Sequence, residues 1–398
     1  CFIFMVMQNM ICASGGIFLT QYFGAKQREG MRQSVAFKVV ASLSTCIFYF
    51  LATFVFTRPV LSLMVIGNSQ ADLILDEGQK YMYLMGFIGI QMMISSILSS
   101  SYREIGRVRV ILVITLIAAG SNAFLNWVFI YGHLGMPRLE VEGAAYATII
   151  AKTVEMLLLI GYTIKERPEF ISFSVFKRID WALFGRILKK GSLLIISQMM
   201  WVLSESFTAA IYNGRGNAAV VSGMAASFSI ANLFFISFDG ITTATGVLIG
   251  KSLGRNELDD ARKEKTWMLS AAIIFGCIMC LVGVVTVLLV PVVFGNLSID
   301  AQNICRAMLL LMALFMPLWI YVNTQLAVCR AGGDTKVGFL VDGGTTAVMI
   351  PMLLILAFFT NASPVMMYFG VKALDVGKII VATHEMKKER WVVNLSNA

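Results

Sequence analysis

Apolar runs long enough to cross a bilayer recur along this whole sequence, at 1–21, 35–57, 80–101, 109–131, 142–164, 191–213, 219–250, 267–292, 305–328, 337–359 and 363–382. A hydrocarbon core about 30 Å thick is crossed by about 20 residues of helix. Lipid offers no partner to a backbone N–H or C=O, so runs of this kind satisfy their own polar groups as helices. The composition agrees: 58% of the residues are hydrophobic and 14% charged, against about 25% charged in soluble domains. The reading is an all-α, polytopic membrane protein with about eleven transmembrane helices, its surroundings the lipid bilayer. The run 219–250 exceeds what a bilayer needs and has to tilt, bend or project. The run 363–382 is interrupted by Lys372, Asp375 and Lys378.

The net charge of +9 does not point to nucleic acid, because most of the cations lie in one set of alternate loops. One set, from Lys26, Arg28, Arg32 and Lys38 through to Lys387, Lys388 and Arg390, holds 24 Lys and Arg; the opposite set holds 5. The positive-inside rule makes the rich set cytoplasmic and the C-terminus with it. Eleven helices then start Cys1 at the outer face, and one further helix upstream would bring the N-terminus inside. Seven cysteines are present, and Cys277 and Cys280 form a C-x-x-C within FGCIMCLVG. No polar group accompanies them, so they read as buried small hydrophobes. There is no H-E-x-x-H and no P-loop, and Asp259-Asp260 read as a solvated helix start. Neither an enzyme nor a cofactor is indicated.

The chain repeats itself. FLTQYFGAKQREGMRQS (18–34) lies over LIGKSLGRNELDDARKE (248–264), with Gly24 on Gly254, Phe23 on Leu253, Glu29 on Asp259 and Arg32 on Arg262, an offset of 230. Arg103-Glu-Ile-Gly106 lies over Arg330-Ala-Gly-Gly333 at an offset of 227. Both members of each pair fall on the basic face, so the halves share one orientation, as in transporters built from parallel repeats. The helix at 191–213 has no counterpart within the numbered chain; its counterpart would precede Cys1. The expected whole is two pseudo-symmetric six-helix lobes, divided here as 1–164, a linker at 165–190 with an amphipathic piece at the interface, and 191–398. Gly24 and Gly254 read as the residues that let the chain turn out of the membrane.

Several segments resemble the MATE (multidrug and toxic compound extrusion) transporters. NAFLNWVFIYGHLGMPRLEVEGAAYATII (122–150) is similar to their fifth-to-sixth helix junction and CRAGGDTKV (329–337) to their tenth-to-eleventh. QYFGAK (21–26), LIGKSLG (248–254) and KKERWVVNLS (387–396) resemble the ends of their second and eighth helices and their tail. The resemblance implies twelve helices around a central cavity, the first helix missing here. It also implies export of small organic cations or drugs from a bacterium across its inner membrane, by a monomer, in exchange for Na⁺ or H⁺. Many bacterial relatives carry an Asn-Glu pair on the seventh helix with a Trp three positions on. The matching stretch is Ser197-Gln198-Met199-Met200-Trp201: the Trp is kept, the acid is not, and Glu205 is the nearest carboxylate. Gln198, Met199, Met200 and Trp201 are thereby candidate cavity residues.

An ionisable group at membrane depth costs ~2.5 kcal/mol or more, which marks it as a functional candidate. Glu205 lies 14 residues beyond Gly191, Asp239 11 residues before Gly250 and Asp342 6 residues beyond Lys336. A carboxylate is a hard oxygen ligand for a cation and can also exchange a proton, so all three are candidates for cation coupling. The alternative for each is a structural bond to a neighbouring helix. Lys152 and Glu155 are spaced to pair with each other, and Arg103 and Arg330 to snorkel or bind end carbonyls. Asn122, Asn126, Asn232 and Asn323 suit bonds between helices; Asn323, beside Trp319 and after Pro317, is also a candidate cavity residue. Two other functions are compatible with the helix pattern: a lipid-linked precursor flippase, which would want a cationic cavity, and a membrane-embedded prenyl transferase, which would want clustered metal-binding acids.

Overall fold

Helix follows apolar run almost everywhere in the computed structural model, which describes residues 2–62, 71–215, 218–360 and 363–397. No strand occurs among them. The helices are α1 (Phe2–Gly24), α2 (Arg28–Phe50), α3 (Thr57–Ser62), α4 (Ala71–Gly86), α5 (Ile88–Glu104), α6 (Val108–Tyr131), α7 (Glu140–Glu166), α8 (Trp181–Arg215), α9 (Ala218–Gly254), α10 (Leu258–Val293), α11 (Ile299–Ala331), α12 (Lys336–Phe359), α13 (Pro364–Ala373) and α14 (Asp375–Lys387). A π-helical turn at Leu51–Val55 extends α2, and a 3₁₀ turn at Phe173–Lys177 precedes α8.

Nine helices among the described residues are long and apolar enough to span a bilayer, or ten if α4 and α5, bent by 44° at their break, make one span. Two sequence-based runs therefore take another form. The run 80–101 is this bent pair. The run 363–382 is two short helices, α13 and α14, meeting at Leu374. The charges that interrupt the apolar run sit at that break, and Asp375 falls in the first turn of α14, where the helix dipole favours an anion. The run 219–250 is one unbroken helix, α9, of 37 residues, longer than a bilayer is thick. The segment expected to link the halves ends inside α8, which runs on from Trp181.

The chain divides into two units: Cys1–Leu19 with Gln27–Leu188, and Thr20–Lys26 with Lys189–Ala398. In the first, Phe4, Cys46, Tyr49, Ile88 and Met92 form the apolar centre, with the Phe4 and Tyr49 rings stacked 4.4 Å apart. In the second, α11 is the hub, with α9, α10, α13 and α14 packed round it. Large apolar side chains lie on the outside, among them Leu288, Val292, Phe358 and Phe359, the last 84% exposed. Lipid is the environment in which such a surface is stable.

The internal repeat is carried by the backbone. The left-handed residue after α1 is Lys26, φ 55°, and after α9 it is Asn256, φ 64°, again 230 apart. Gly106 (φ 85°) and Gly333 (φ 75°) keep the 227 offset after α5 and α11. Each pair closes its turn with the same bonds: Lys26 N–H donates to Phe23 as Asn256 does to Leu253, and Gly106 to Arg103 as Gly333 does to Arg330. This corrects one expectation. Gly24 and Gly254 are the last helical residues and Lys26 and Asn256 make the turn, so the glycines serve a different purpose, close approach.

Candidate functional site

Charged side chains from four helices converge in the second unit. Glu205 of α8 pairs with Lys372 of α13, Oε1 to Nζ 2.7 Å, and both are largely buried. Lys372 also stands over the rings of Tyr368 and Trp319, 5.4 and 5.8 Å from their centroids. Trp319 Nε1 donates to Asp375 Oδ2 at 2.8 Å. The other oxygen of Asp375 holds Lys378 at 3.2 Å, and Lys378 lies 3.7 Å from Asp342 Oδ1. Asp342 Oδ2 accepts from Ser197 Oγ at 2.9 Å. Lys372, Asp375 and Lys378 recur every third residue across the α13–α14 break, which lets one short stretch present all three to α8, α11 and α12. Each carboxylate has a cation within reach, as groups held in a medium of low dielectric require.

Two of the three acids singled out from sequence, Glu205 and Asp342, thus belong to one network. Asp239 stands on the exposed face of α9, within electrostatic reach of Arg330, as is Asp342. Arg330, read from sequence as serving a helix end, has two of the candidate acids as its charged neighbours. The members missed from sequence are Lys372, Asp375, Lys378, Trp319, Tyr368 and Ser197. Their signal was present: three charges at a period of three, inside an otherwise apolar run.

The candidate cavity residues fare differently. Trp201 is exposed and Gln198 and Met199 are half-buried. Met200 packs against α12, its Cε and Sδ close to the place a side chain on Gly343 would occupy. Asn323 donates to the Trp319 carbonyl of its own helix at 2.9 Å. Asn126 likewise bonds Asn122 four residues away at 3.1 Å, so this pair does not join two helices. Cys277 is exposed and Cys280 half-buried, which corrects their reading as buried hydrophobes: they lie on the outer apolar face of α10. Cys1 lies outside the described residues.

The first unit holds its own polar features. A cavity of about 120 Å³ is lined by Met5, Asn9, Ser95, Ser99, Lys152 and Glu155 among others, and Lys152 and Glu155 pair at 2.8 Å as their spacing predicts. Lys38, counted from sequence among the loop cations, is in α2 and wholly buried. Its Nζ reaches Ser100 Oγ (3.0 Å), Ser101 Oγ (3.2 Å) and Glu104 Oε2 (2.5 Å) on α5. No cluster of three or more His, Cys, Asp or Glu suited to a metal ion occurs among the described residues.

Residues 1–128 and 194–363 match the family model for MatE. Among curated relatives, the probable multidrug resistance protein NorM of Listeria monocytogenes is 25% identical over 264 residues, 65% of this chain and 56% of that protein. The NorM protein of Mesorhizobium japonicum is 26% identical over 291 residues, 70% of this chain and 61% of its own. In both, the match spans less than two thirds of the relative's length. The NorM protein of Listeria innocua is 23% identical over 389 residues, 96% of this chain and 83% of that protein. Among solved structures, the MATE transporter VcmN of Vibrio cholerae in its bent form superposes with a TM-score of 0.79 at 16% identity, covering 98% of this chain and 87% of that one. A MOP superfamily transporter from Pyrococcus furiosus, described as having a binding pocket of reverse polarity, gives 0.82 at 17%, covering 98% and 86%. At such identities these structures show a shared fold.

Proposed function

This chain belongs to the MatE family, and from that premise we propose that it is part of a secondary antiporter exporting organic, often cationic, compounds in exchange for Na⁺ or H⁺. Its relatives bear the name multidrug resistance protein. The observation that carries the reading is the Glu205–Lys372 and Asp342–Lys378–Asp375 network, set among apolar helices. Ionisable groups are retained there where they are used, because their burial is costly. A cation arriving at such a network changes the charge balance between helices. If one arrangement of the helices binds it better than another, binding drives the change of arrangement.

In this reading Glu205, Asp342 and, through Arg330, Asp239 are the coupling acids, and Trp201, Gln198, Met199, Met200 and Asn323 stand toward the substrate path. The protein works as a monomer in a bacterial cytoplasmic membrane with the tail inside. The flippase alternative wants unneutralised cations, whereas Lys372 and Lys378 each face a carboxylate. The test uses sealed vesicles carrying the protein and loaded with a cationic dye. Dye movement that follows an imposed Na⁺ or H⁺ gradient, and is lost in Glu205→Gln, is expected; dye movement indifferent to both gradients rules the coupling out.

A further inference from the structure

Resting on that transport reading, we propose that Lys372 and Lys378 are resident counter-cations that keep Na⁺ off Glu205 and Asp342, so that the ion exchanged at this site is the proton.

The argument is one of occupancy. A Na⁺ site needs several oxygen atoms turned toward one point, with net negative charge left over to hold the ion. Here each carboxylate already has a tethered ammonium beside it, and several of the oxygens are engaged. Glu205 Oε1 accepts from the Lys372 ammonium at 2.7 Å. The two oxygens of Asp375 are taken by Trp319 Nε1 and Lys378; Asp342 Oδ2 accepts from Ser197, and the Lys378 ammonium stands 3.7 Å from its Oδ1. The ammonium groups carry the same single charge as Na⁺ and are covalently tethered, so their effective concentration at the carboxylates is high. For Na⁺ to bind Glu205, Lys372 has to leave with its charge still on it, or stay and repel the newcomer at close range.

A proton avoids both obstacles. It adds to a carboxylate oxygen as a covalent O–H, needs no set of ligands and takes no extra volume. Glu205 becomes a neutral carboxylic acid, and Lys372 keeps its three N–H bonds and its charge. The ammonium then has a place to remain, over the faces of Tyr368 and Trp319. The charged or titratable groups facing the Glu205–Lys372 pair are Tyr368 of α13 and Asp375 of α14. Those facing Asp342 are Lys378 of α14 and Arg330 of α11, with Asp239 of α9 beyond Arg330. Protonating one acid therefore loosens α13 from α8 by removing an ion pair, and leaves Asp375 and Lys378 joined.

Binding of radiolabelled Na⁺ to the purified protein at mildly alkaline pH tests this without requiring transport. The unmodified protein is expected to show no saturable Na⁺ binding. The K372Q/K378Q variant is expected to gain a saturable site that is lost again when E205Q and D342N are added. K372R, which keeps the charge, is expected to behave as the unmodified protein and guards against a misfolded double variant. Saturable Na⁺ binding by the unmodified protein that E205Q or D342N abolishes overturns the proposal. In dye-loaded vesicles without Na⁺, a pH gradient alone is expected to drive transport; transport driven by a Na⁺ gradient alone also overturns it. If neither gradient drives dye movement, the antiport reading fails, while Na⁺ exclusion is still judged by the binding assay.

Discussion

Gly24 and Gly254 pack reciprocally: a Cβ on Gly24 would collide with the Lys251 carbonyl oxygen, and one on Gly254 would collide with the Gln21 carbonyl oxygen. Each glycine thus rests on the residue three positions before the other, so the two copies of the repeated junction meet as near-equivalents within the second unit. Such an approach of two helix ends is open only to residues without a side chain. Gly24→Ala and Gly254→Ala are each expected to cost about 1–3 kcal/mol through forced separation of the backbones. Thermal unfolding of the purified protein measures this. Gly240→Ala, where no described atom lies within 4 Å of the new carbon, serves as the control and should leave the midpoint unchanged or slightly raised.

Gln21, fully buried, ties the tail to this junction. Its Nε2 donates to the Ala331 carbonyl at 2.7 Å, and its Oε1 accepts from the Leu395 N–H at 2.6 Å. Trp391 is buried nearby, against the cluster that includes Leu253 and Ala331. Gln21→Leu strands a buried carbonyl and a buried N–H, with a cost of about 1–3 kcal/mol. Faster hydrogen exchange at Leu395 and quicker trimming of the tail by carboxypeptidase are the expected readouts. Unchanged exchange at Leu395 would contradict the tether.

Lys38 and Glu104 make the corresponding internal pair of the first unit. Lys38→Met leaves Glu104 without its cation, and removing one partner of a buried ion pair costs about 3–5 kcal/mol. Lys38→Met with Glu104→Met removes both charges and should recover most of that loss. A double-mutant cycle on thermal stability checks it, and additive losses would argue against the pairing.

Acid should loosen the tail. Hydrogen bonding from Arg262 holds the Glu389 carboxyl below the usual carboxylate range. A depressed carboxyl contributes its stabilisation fully above the ordinary glutamate value of about 4.3 and loses it as pH falls through the lower folded value. The pair is exposed, 41% and 42%, so the effect is small and weakens with salt. Protection of amides near Trp391, taken relative to the intrinsic exchange rate at each pH, is expected to fall in acid in the unmodified protein. In Arg262→Gln that protection should be slightly lower already at neutral pH and change less on acidification.

Membership in a helical membrane class follows from the sequence alone, because lipid leaves an apolar run of 20 residues one backbone solution. So does the duplication, since the offsets of 230 and 227 recur in Lys26 and Asn256 and in Gly106 and Gly333. Lys152 with Glu155 was legible for the same reason: its partners are close along the chain. Tertiary structure decided what the isolated charges meet. Lys38 read as a loop cation until α5 supplied Glu104 from 66 residues away. Lys372 and Lys378 read as blemishes in the last run until they met Glu205, 167 residues earlier, and Asp342. Periodicity reports which face of a helix is apolar, but a charge within the membrane is tolerated only beside a partner. Which partner that is depends on how helices distant in sequence pack together.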